Sequence, residues 1–204
     1  MKKIIEICGI DTSGKTTQTN LLSQMINLYG VSNQIVPKIL QYNPRVPKNG
    51  SDRQKWYKEA SLDEILLAKL ETLKEKSMLA EQMDAEIIIE DRGYTTIYSS
   101  CIAHCMQRAE YCFQRADSYV SRLNHDIRCV PIEDLHIILR FDNPNKNRYN
   151  KEMPEGFLQY LINFHLCIDE VSKRFLNTQW INAELPKEEI SQRILDKIRG
   201  LNHG

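Results

Sequence analysis

The sequence lacks several features that would assign it to a class of protein at once. It has no net charge, because 27 lysines and arginines balance 27 aspartates and glutamates. Such a balance creates no global field that would attract a nucleic acid polymer or an anionic membrane. It also has no apolar run of about eighteen residues, the length that a membrane-spanning helix needs. We therefore expect a protein that binds neither nucleic acid polymers nor membranes.

A secretory signal and a disulfide pattern are missing as well. Residues 1–7 contain two lysines and several apolar residues, but Glu6 interrupts the apolar run and no small-residue cleavage site follows. The six cysteines are scattered, and no pair has the Cys-x-x-Cys spacing. These features favour free thiols in a reducing compartment over a disulfide framework. We expect a cytoplasmic location.

Strand-like and helix-like apolar patterns alternate along the chain. Strands are predicted at residues 3–8, 33–39, 85–91, 135–141 and 179–183, and helices at residues 14–29, 62–82, 95–123, 157–176 and 187–199. This alternation indicates an α/β fold, a doubly wound parallel sheet with helices on both faces. Ligands of such sheets bind at the carboxyl ends of the strands. No repeat or low-complexity linker divides the chain, so we expect one domain over residues 1–204.

The segment CGIDTSGKTTQ, residues 8–18, follows the first predicted strand and opens the first predicted helix. It fits the phosphate-binding pattern G-x-x-x-x-G-K-[ST]. Glycines let backbone amides turn toward phosphate oxygens, the helix amino terminus adds partial positive charge, and the lysine reaches the β and γ phosphates. The residues predicted to bind ATP are Gly9, Asp11, Thr12, Ser13, Gly14, Lys15, Thr16 and Thr17.

The segment IIIEDRGY, residues 87–94, ends the third predicted strand in two carboxylates and an arginine. At the end of a strand beside the phosphate loop, Asp91 can hold the water of a magnesium ion or accept a substrate proton. Arg92 can bind a phosphate or a carboxylate with two hydrogen bonds. We predict Thr16 and Asp91 as magnesium ligands, and Lys15, Asp91 and Arg92 as catalytic residues.

These two segments resemble the thymidylate kinase family of P-loop nucleoside monophosphate kinases. In that family the loop typically reads EGxDGxGKTTQ, and the third strand ends in Asp-Arg followed by an aromatic residue. The resemblance implies a five-stranded parallel core, transfer of the γ-phosphoryl group of Mg-ATP to a nucleotide acceptor, and often a homodimer. It also implies that Asp11 contacts a sugar hydroxyl of the acceptor. The apolar stripe within residues 94–123 faces either the protein's own sheet or a second copy of the chain.

The sequence departs from the family where the acceptor would bind. Family members carry a segment like LLFAADR before the third strand, with an arginine for the acceptor's phosphate and an aromatic residue for its base. The corresponding segment, residues 65–76, has neither at those positions. The family's Arg-Glu-Pro segment is also replaced, by VPKILQYNPR at residues 36–45. Lys38 and Arg45 are candidate phosphate ligands, and Tyr42, Trp56, Tyr57 and Tyr94 are candidate stacking groups. The residues predicted to bind the acceptor are Asp11, Lys38, Arg45, Arg92 and Tyr94.

The family has a lid after its fourth strand, and residues 143–152, NPNKNRYNKE, are the corresponding segment. Arg148 and Lys146 could close over the transferring phosphoryl group and neutralise its oxygens. Thr12 stands where some members carry a loop arginine, so the transition state needs a positive charge from elsewhere. We predict a short lid around residues 143–152 and Arg148 as a further catalytic residue.

Two other functions fit the same residues. Deoxynucleoside kinases, which the chain resembles more faintly, carry Glu-Arg-Ser where this chain has Asp91-Arg92-Gly93. In that case Asp91 would deprotonate the hydroxyl of a nucleoside or of another small hydroxylated metabolite. The altered acceptor motifs also fit a catalytically idle ATP-binding module. A GTPase is disfavoured, because the Asn-Lys-x-Asp and Asp-x-x-Gly motifs are both absent.

Overall fold

The computed structural model describes residues 2–40, 43–141 and 157–201. Its strands are β1 (Lys3–Gly9), β2 (Asn33–Val36), β3 (Ile87–Asp91), β4 (Leu135–Arg140) and β5 (Thr178–Asn182). Its helices are α1 (Lys15–Leu28), α2 (Gly50–Glu59), α3 (Leu62–Gln82), α4 (Tyr94–Arg108), α5 (Phe113–Ile127), α6 (Phe157–Ser172) and α7 (Lys187–Gly200). The strands form one five-stranded sheet in the order β2-β3-β1-β4-β5, and every pairing is parallel. The predicted α/β fold class is confirmed.

Helices cover both faces of the sheet because its strands are apolar on both sides. On one face, Ile7 of β1 packs in a cluster with Leu22 of α1 and Ile194 of α7. On the other face, Cys8 of β1 lies in a cluster to which α3, α4, α5 and α6 contribute. Successive residues of β1 therefore point into two different halves of the core.

The centre of the sheet is β1, which lies between β3 and β4. The chain runs from β1 outward to β2, returns to β3, and then crosses to β4 on the other side of β1. The parallel registers, which align Ile7 with Asp91 and Cys8 with Ile138, bring the carboxyl ends of these strands to one edge. An α/β sheet binds its ligands in the crevice at such a reversal point. The loop after β1 and the end of β3 meet there.

The single helix predicted at residues 95–123 is wrong, because the structure has α4 and α5 in its place. Between them Glu110 takes a φ of 54°, in the left-handed region. No glycine or proline stands at this break, so the residue types did not mark it. The stretch from Thr95 to Cys105 is almost entirely buried, and α4 packs against α3, α5 and α6. Its apolar stripe therefore faces the protein's own core.

The other differences from the sequence prediction have local causes. Helix α2 was not predicted, because it has no buried residue and hence no apolar periodicity. Strand β2 ends at Val36 rather than at residue 39, since Pro37 has no N–H group to continue the ladder. Helix α6 ends at Ser172 rather than at residue 176. The other boundaries agree within about two residues, the usual uncertainty at element ends.

Charged side chains interrupt the longest helix, α3, whose 21 residues include the buried Lys76. No helix in the described ranges combines the length and the apolar content needed to cross a membrane. The predicted lid at residues 143–152, with Arg148, lies outside the described residues. So does Tyr42, one of the candidate stacking groups.

Candidate active site

The loop between β1 and α1 has a backbone shape that depends on glycine. Gly9 has a φ of 148° and Gly14 a φ of 87°, values that glycine adopts without strain. A Cβ atom at Gly9 would lie 2.5 Å from Ser13 Oγ and 2.7 Å from the Leu139 carbonyl oxygen. Thr12 also has a positive φ, of 68°. The loop therefore packs directly against the end of β4 and turns sharply into α1.

The amino end of α1 is arranged to receive an anion. No side-chain hydrogen bond caps this end, and the first turn contains no acidic residue. Its amides and their partial positive charge are therefore available to a phosphate. The buried Lys15 donates from Nζ to the Ile10 carbonyl oxygen at 2.6 Å. Burial, followed by the charge of Arg92, lowers the pKa of Lys15 to about 8, and a bound anion would oppose both effects.

Thr16 and Asp91 meet between α1 and the end of β3. Thr16 Oγ1 donates a hydrogen bond to Asp91 Oδ2 at 2.6 Å. Lys38 Nζ lies 2.9 Å from Thr16 Oγ1 and 3.1 Å from Asp91 Oδ2. Burial raises the pKa of Asp91, but the hydrogen bonds from Thr16 and Lys38 bring it below its usual value. The Asp91 carboxylate is therefore ionised at neutral pH.

The pair formed by Thr16 and Asp91 fits a magnesium ion. Mg²⁺ prefers oxygen ligands, and it usually takes one or two protein groups together with water and nucleotide phosphates. Asp91 Oδ1 is buried and has no hydrogen-bond partner among the described residues, so it offers a free acceptor. The described ranges contain no group of 3 or more His, Cys, Asp or Glu side chains that could hold a metal. A magnesium ion would therefore depend on nucleotide oxygens and water for most of its ligands.

Arg92 joins the end of β3 to the phosphate loop. Its backbone has a φ of 71°, a strained conformation that costs a non-glycine residue about 1–3 kcal/mol. Its Nη2 donates to Asp11 Oδ1 at 2.6 Å. Burial raises the pKa of Asp11, but the charges of Arg92 and Lys15 and the hydrogen bond from Arg92 together give a net lowering. The guanidinium therefore lies over the loop that would hold the donor.

Four of these groups line one cavity of about 430 Å³, a size typical of small-ligand sites. They are Asp11, Lys38, Asp91 and Arg92, and they form its charged end. The cavity thus brings Asp11 of the loop motif together with Asp91 and Arg92 of the β3 motif, and Thr16 borders this end through its hydrogen bond to Asp91. The rest of the lining comes largely from α2, α3, α4 and α6, and it includes Arg53, Tyr57, Lys69, Thr72, Lys76 and Phe164.

Two residues predicted to bind the acceptor do not line this cavity. Arg45 donates from Nε and Nη2 to the two carboxylate oxygens of Glu71, at 2.9 Å and 3.1 Å. Tyr94 stacks on Tyr98 with ring centroids 5.2 Å apart and meets Phe175 edge-on. Because these side chains are engaged elsewhere, we leave Arg45 and Tyr94 out of the proposed site.

The sequence analysis missed the basic residues that line the cavity from the helices. Lys69, Thr72 and Lys76 follow one another at positions i, i+3 and i+7 of α3, so they share one helix face. That spacing was visible in the sequence. What the face would meet depends on how α3 packs, which the spacing does not reveal. Arg53 had no detectable signal, because its helix was not predicted.

A buried polar cluster lies behind the end of β3, and Glu6 of β1 is its centre. Glu6 accepts hydrogen bonds from the backbone amides of Thr95 and Thr96 at 3.0 Å and 2.9 Å. Its carboxylate also lies 3.0 Å from His136 Nδ1. Burial raises the pKa of Glu6, but its partners, chiefly His136, give a net lowering. An ionised Glu6 therefore interacts directly with the amino end of α4.

Gly93 connects this cluster to Arg92, and it leaves no room for a side chain. A Cβ atom at Gly93 would lie 2.5 Å from a carboxylate oxygen of Glu90 and 2.5 Å from one of Glu133. Both oxygens of the buried Glu90 have no hydrogen-bond partner among the described residues. Burial, followed by the charges of Glu6 and Glu90, raises the pKa of Glu133 to about 8. Glu133 is therefore mainly protonated at neutral pH.

Comparisons with known proteins were made by sequence and by structure. No protein-family model matches the chain, and no curated protein matches it significantly. Among solved structures, thymidylate kinase from Candida albicans matches with a TM-score of 0.74 at 15% identity, over 98% of this chain and 92% of that one. A deoxyadenosine kinase from M. mycoides with bound dATP matches with a TM-score of 0.68 at 16% identity, over 96% and 99%. Thymidylate kinase from Ehrlichia chaffeensis matches with a TM-score of 0.62 at 19% identity, over 97% and 98%.

These matches extend over nearly the whole length of both chains. They therefore compare complete arrangements of strands and helices, while identities of 15–19% leave the chemistry to be argued from the site itself. The phosphate loop after β1 and the Asp91-Arg92 pair at the end of β3 stand at the positions that the motif resemblance implied. The chain has the fold of the thymidylate kinase-like nucleotide kinases.

Proposed function

We propose that the protein is a phosphotransferase of the nucleotide kinase type, which transfers the γ-phosphoryl group of Mg-ATP to a nucleoside monophosphate. One observation carries the proposal: Asp11 of the phosphate loop lines the same cavity as Asp91 and Arg92. Phosphoryl transfer depends mainly on positioning and charge stabilisation, so it needs a donor site and an acceptor space that share an edge. The kinases that have the same fold support the proposal.

The donor would bind at the phosphate loop. The amides of the first turn of α1 would contact the phosphates, and Lys15 would exchange the Ile10 carbonyl for β and γ phosphate oxygens. Thr16 and Asp91 would hold magnesium, which when bound neutralises charge on the β and γ phosphates. Arg92 is close enough to Lys15 for its charge to lower the lysine pKa, so both cations can act on the same phosphate group.

In the transfer step, an oxygen of the acceptor phosphate forms a bond to the γ phosphorus. The bond between that phosphorus and the bridging β,γ oxygen breaks, and the products are ADP and a nucleoside diphosphate. The attacking oxygen is already ionised at neutral pH, so the step requires no protein base. The protein's own task is to hold two anionic groups together, which Lys15 and Arg92 would do by charge stabilisation.

The charges of the cavity favour a phosphorylated acceptor. Its lining contains five cationic side chains and two carboxylates. Both carboxylates are already paired, Asp91 with Lys38 and Asp11 with Arg92. The surplus positive charge attracts an anion, and a phosphomonoester carries charge that a nucleoside lacks. The lining cations that make no ion pair with a described residue are Arg53, Lys69 and Lys76.

A kinase of an unphosphorylated acceptor is the second candidate. It is favoured by the match to deoxyadenosine kinase, and it would use Asp91 to deprotonate a hydroxyl group of a nucleoside or another small metabolite. The lowered pKa of Asp91 makes it a weaker base, which counts against this candidate. A catalytically idle ATP-binding module is the third.

We also propose that residues 1–204 form one kinase domain, with a lid around residues 143–152 that brings Arg148 to the transferring group. The homodimer and the cytoplasmic location stay predictions. Light scattering of the purified chain would test the dimer directly.

An ADP-release assay would separate the three candidates. Mg-ATP would be supplied with nucleosides, their 5′-monophosphates and amino-sugar-like alcohols, and an EDTA control would establish magnesium dependence. We expect release with at least one monophosphate and none with the corresponding nucleoside. Release with nucleosides or alcohols alone would establish the second candidate, and ATP binding without release would establish the idle module.

A further inference from the structure

One face of α3 presents polar side chains to the acceptor end of the cavity. Lys69, Thr72 and Lys76 all line it. Thr72 is fixed on this face, because its hydroxyl donates to the Ala68 carbonyl oxygen at 2.8 Å. The exposed Lys74 lies on a different side of the same helix. A single helix therefore carries two lysines that face a ligand space and one that faces solvent.

Lys76 is a buried ammonium group without an ion pair. Its relative exposure is 3%, and it makes no ion pair within 4.0 Å with a described residue. Its Nζ donates to the carbonyl oxygens of Asp91 at 3.0 Å and Arg92 at 2.6 Å. A lysine ammonium has three N–H donors, so one remains for a ligand. Burial lowers the pKa of Lys76, and the charges of Glu90, Glu6 and Asp91 partly oppose this shift, so the ammonium group also lies near buried carboxylates.

Lys69 lies two helical turns before Lys76, and it too makes no ion pair with a described residue. Its Nζ donates to Ser100 Oγ at 2.6 Å, and that hydroxyl also hydrogen-bonds to Tyr160 OH at 2.7 Å. The ring of Tyr57 lies 5.7 Å from the ammonium group. No carboxylate in the described residues forms an ion pair with it. Lys69 is thus held in place by neutral groups, and the carboxylate on which its charge acts is that of Asp11, whose pKa it helps to lower.

Glu71 of α3 lies in the segment that corresponds to the family's LLFAADR, which carries the acceptor-binding arginine. The side chain of Glu71 pairs with Arg45 through two hydrogen bonds. A carboxylate at that position cannot bind an anion. If the acceptor carries a phosphate, the positive charge that binds it must come from other residues.

We propose that Lys69 and Lys76 form the acceptor-anion subsite of this protein and bind a phosphomonoester. The subsite rests on the proposed function. The free donors of the two ammonium groups bind the acceptor's phosphate oxygens, and the carbonyls of Asp91 and Arg92 hold Lys76 in place beside the proposed catalytic residues. Lys69 and Lys76 thereby determine specificity for a phosphorylated acceptor over a neutral one.

Isothermal titration calorimetry on the full chain tests this subsite. Mg-ADP is titrated first and then kept saturating, so that the phosphate loop is filled. The probes are the four common deoxynucleoside 5′-monophosphates and their nucleosides. The variants are Lys69→Met, Lys76→Met and Lys69→Arg, with Lys74→Met as the matched exposed control on the same helix.

We expect Lys69→Met and Lys76→Met each to weaken binding of the best monophosphate about tenfold to a hundredfold, the usual effect of losing a charged hydrogen bond. Binding of ADP and of the nucleoside should stay within about twofold, Lys74→Met should resemble the wild type, and Lys69→Arg should recover part of the loss. If thermal melting shows that Lys76→Met does not fold, Lys69→Met alone decides.

Three results would overturn the subsite: no monophosphate binding by the wild type, unchanged monophosphate binding in the lysine variants, or equal losses for monophosphate and nucleoside. The last result would indicate a packing effect rather than charge recognition. Failure of the wild type to bind Mg-ADP is a separate outcome, and it would count against the proposed function.

Discussion

The proposed donor site and the proposed acceptor end of the cavity differ in composition. The proposed donor site is mainly backbone, namely the glycines of the phosphate loop and the amides at the start of α1. The proposed acceptor end is mainly side chains from separate helices, such as Lys69, Lys76 and Tyr57. A backbone site needs particular residues at fixed spacing, so it leaves a motif. A side-chain site can be assembled from many positions, so it can change while the fold stays the same.

Removal of the Lys15 ammonium should have the largest effect, because we propose it as the main side-chain contact of the donor phosphates. We expect Lys15→Ala to lower single-turnover ADP release about a hundredfold to a thousandfold, the usual loss for one preorganised charge-stabilising group. The control is Lys197→Ala, an exposed lysine of α7, which should leave turnover unchanged. Full turnover by Lys15→Ala would contradict the proposal that the phosphate loop and Lys15 bind the donor phosphates.

The second prediction concerns Gly93, which connects Arg92 to the buried polar cluster around Glu6. The φ of Gly93 is −86°, outside the left-handed region that favours glycine, so the prediction rests on the space around the new methyl group. The new methyl group would collide with the oxygens of Glu90 and Glu133. We expect a loss of about 1–3 kcal/mol in the free energy of unfolding, which corresponds to a melting temperature lower by roughly 5 °C.

The control for this change is Gly200→Ala, since nothing lies within 4 Å of a Cβ atom at Gly200. Its melting temperature should stay close to that of the wild type. Equal melting temperatures for Gly93→Ala and Gly200→Ala would show that the polar cluster can rearrange to accommodate a methyl group at little cost in stability.

The third prediction uses the protonation of Glu133. Its pKa is about 8 in the folded protein, compared with a usual value of 4.5. Between these values the folded state holds a proton that the unfolded state has released. The free energy of unfolding should therefore fall as the pH rises from about 4.5 to about 8. Glu133→Gln should reduce this slope by up to about 1.4 kcal/mol per pH unit, the effect of one proton.

Urea titrations across this pH range would measure the slope, with Glu75→Gln on an exposed face of α3 as the control. The control should keep the wild-type slope. An unchanged slope in Glu133→Gln would mean that Glu133 is ionised throughout this range, contrary to its burial beside Glu6 and Glu90.

The smallest effect is expected for Arg45, which the structure keeps away from the acceptor end. Its ion pair with Glu71 is well exposed on both sides, and such pairs usually contribute less than about 1 kcal/mol. Arg45→Ala should leave the KM of the acceptor within about twofold and lower the melting temperature only slightly. A large rise in the KM of the acceptor would contradict this prediction and would show that Arg45 contributes to acceptor binding.

The sequence was sufficient for the fold and for the position of the phosphate loop between β1 and α1, for a physical reason. Apolar strands such as IIIED and loop motifs such as GIDTSGKT are local patterns, and each determines its own backbone shape. The pairing of Lys38 with Asp91 was not local, and neither was the turn of Arg45 toward Glu71. Those contacts depend on where α3 and the loop after β2 come to lie, so spacing alone gave several equally good candidates.

The buried carboxylate of Glu6 has a consequence for where phosphate can bind. Two helices, α1 and α4, start near the same edge of the sheet. The amides that open α4 are satisfied from inside the protein by Glu6, whose negative charge would also repel a phosphate. Those that open α1 have no such internal counterion. The protein thereby closes one of two similar helix ends with its own side chain and leaves the other open to an anion.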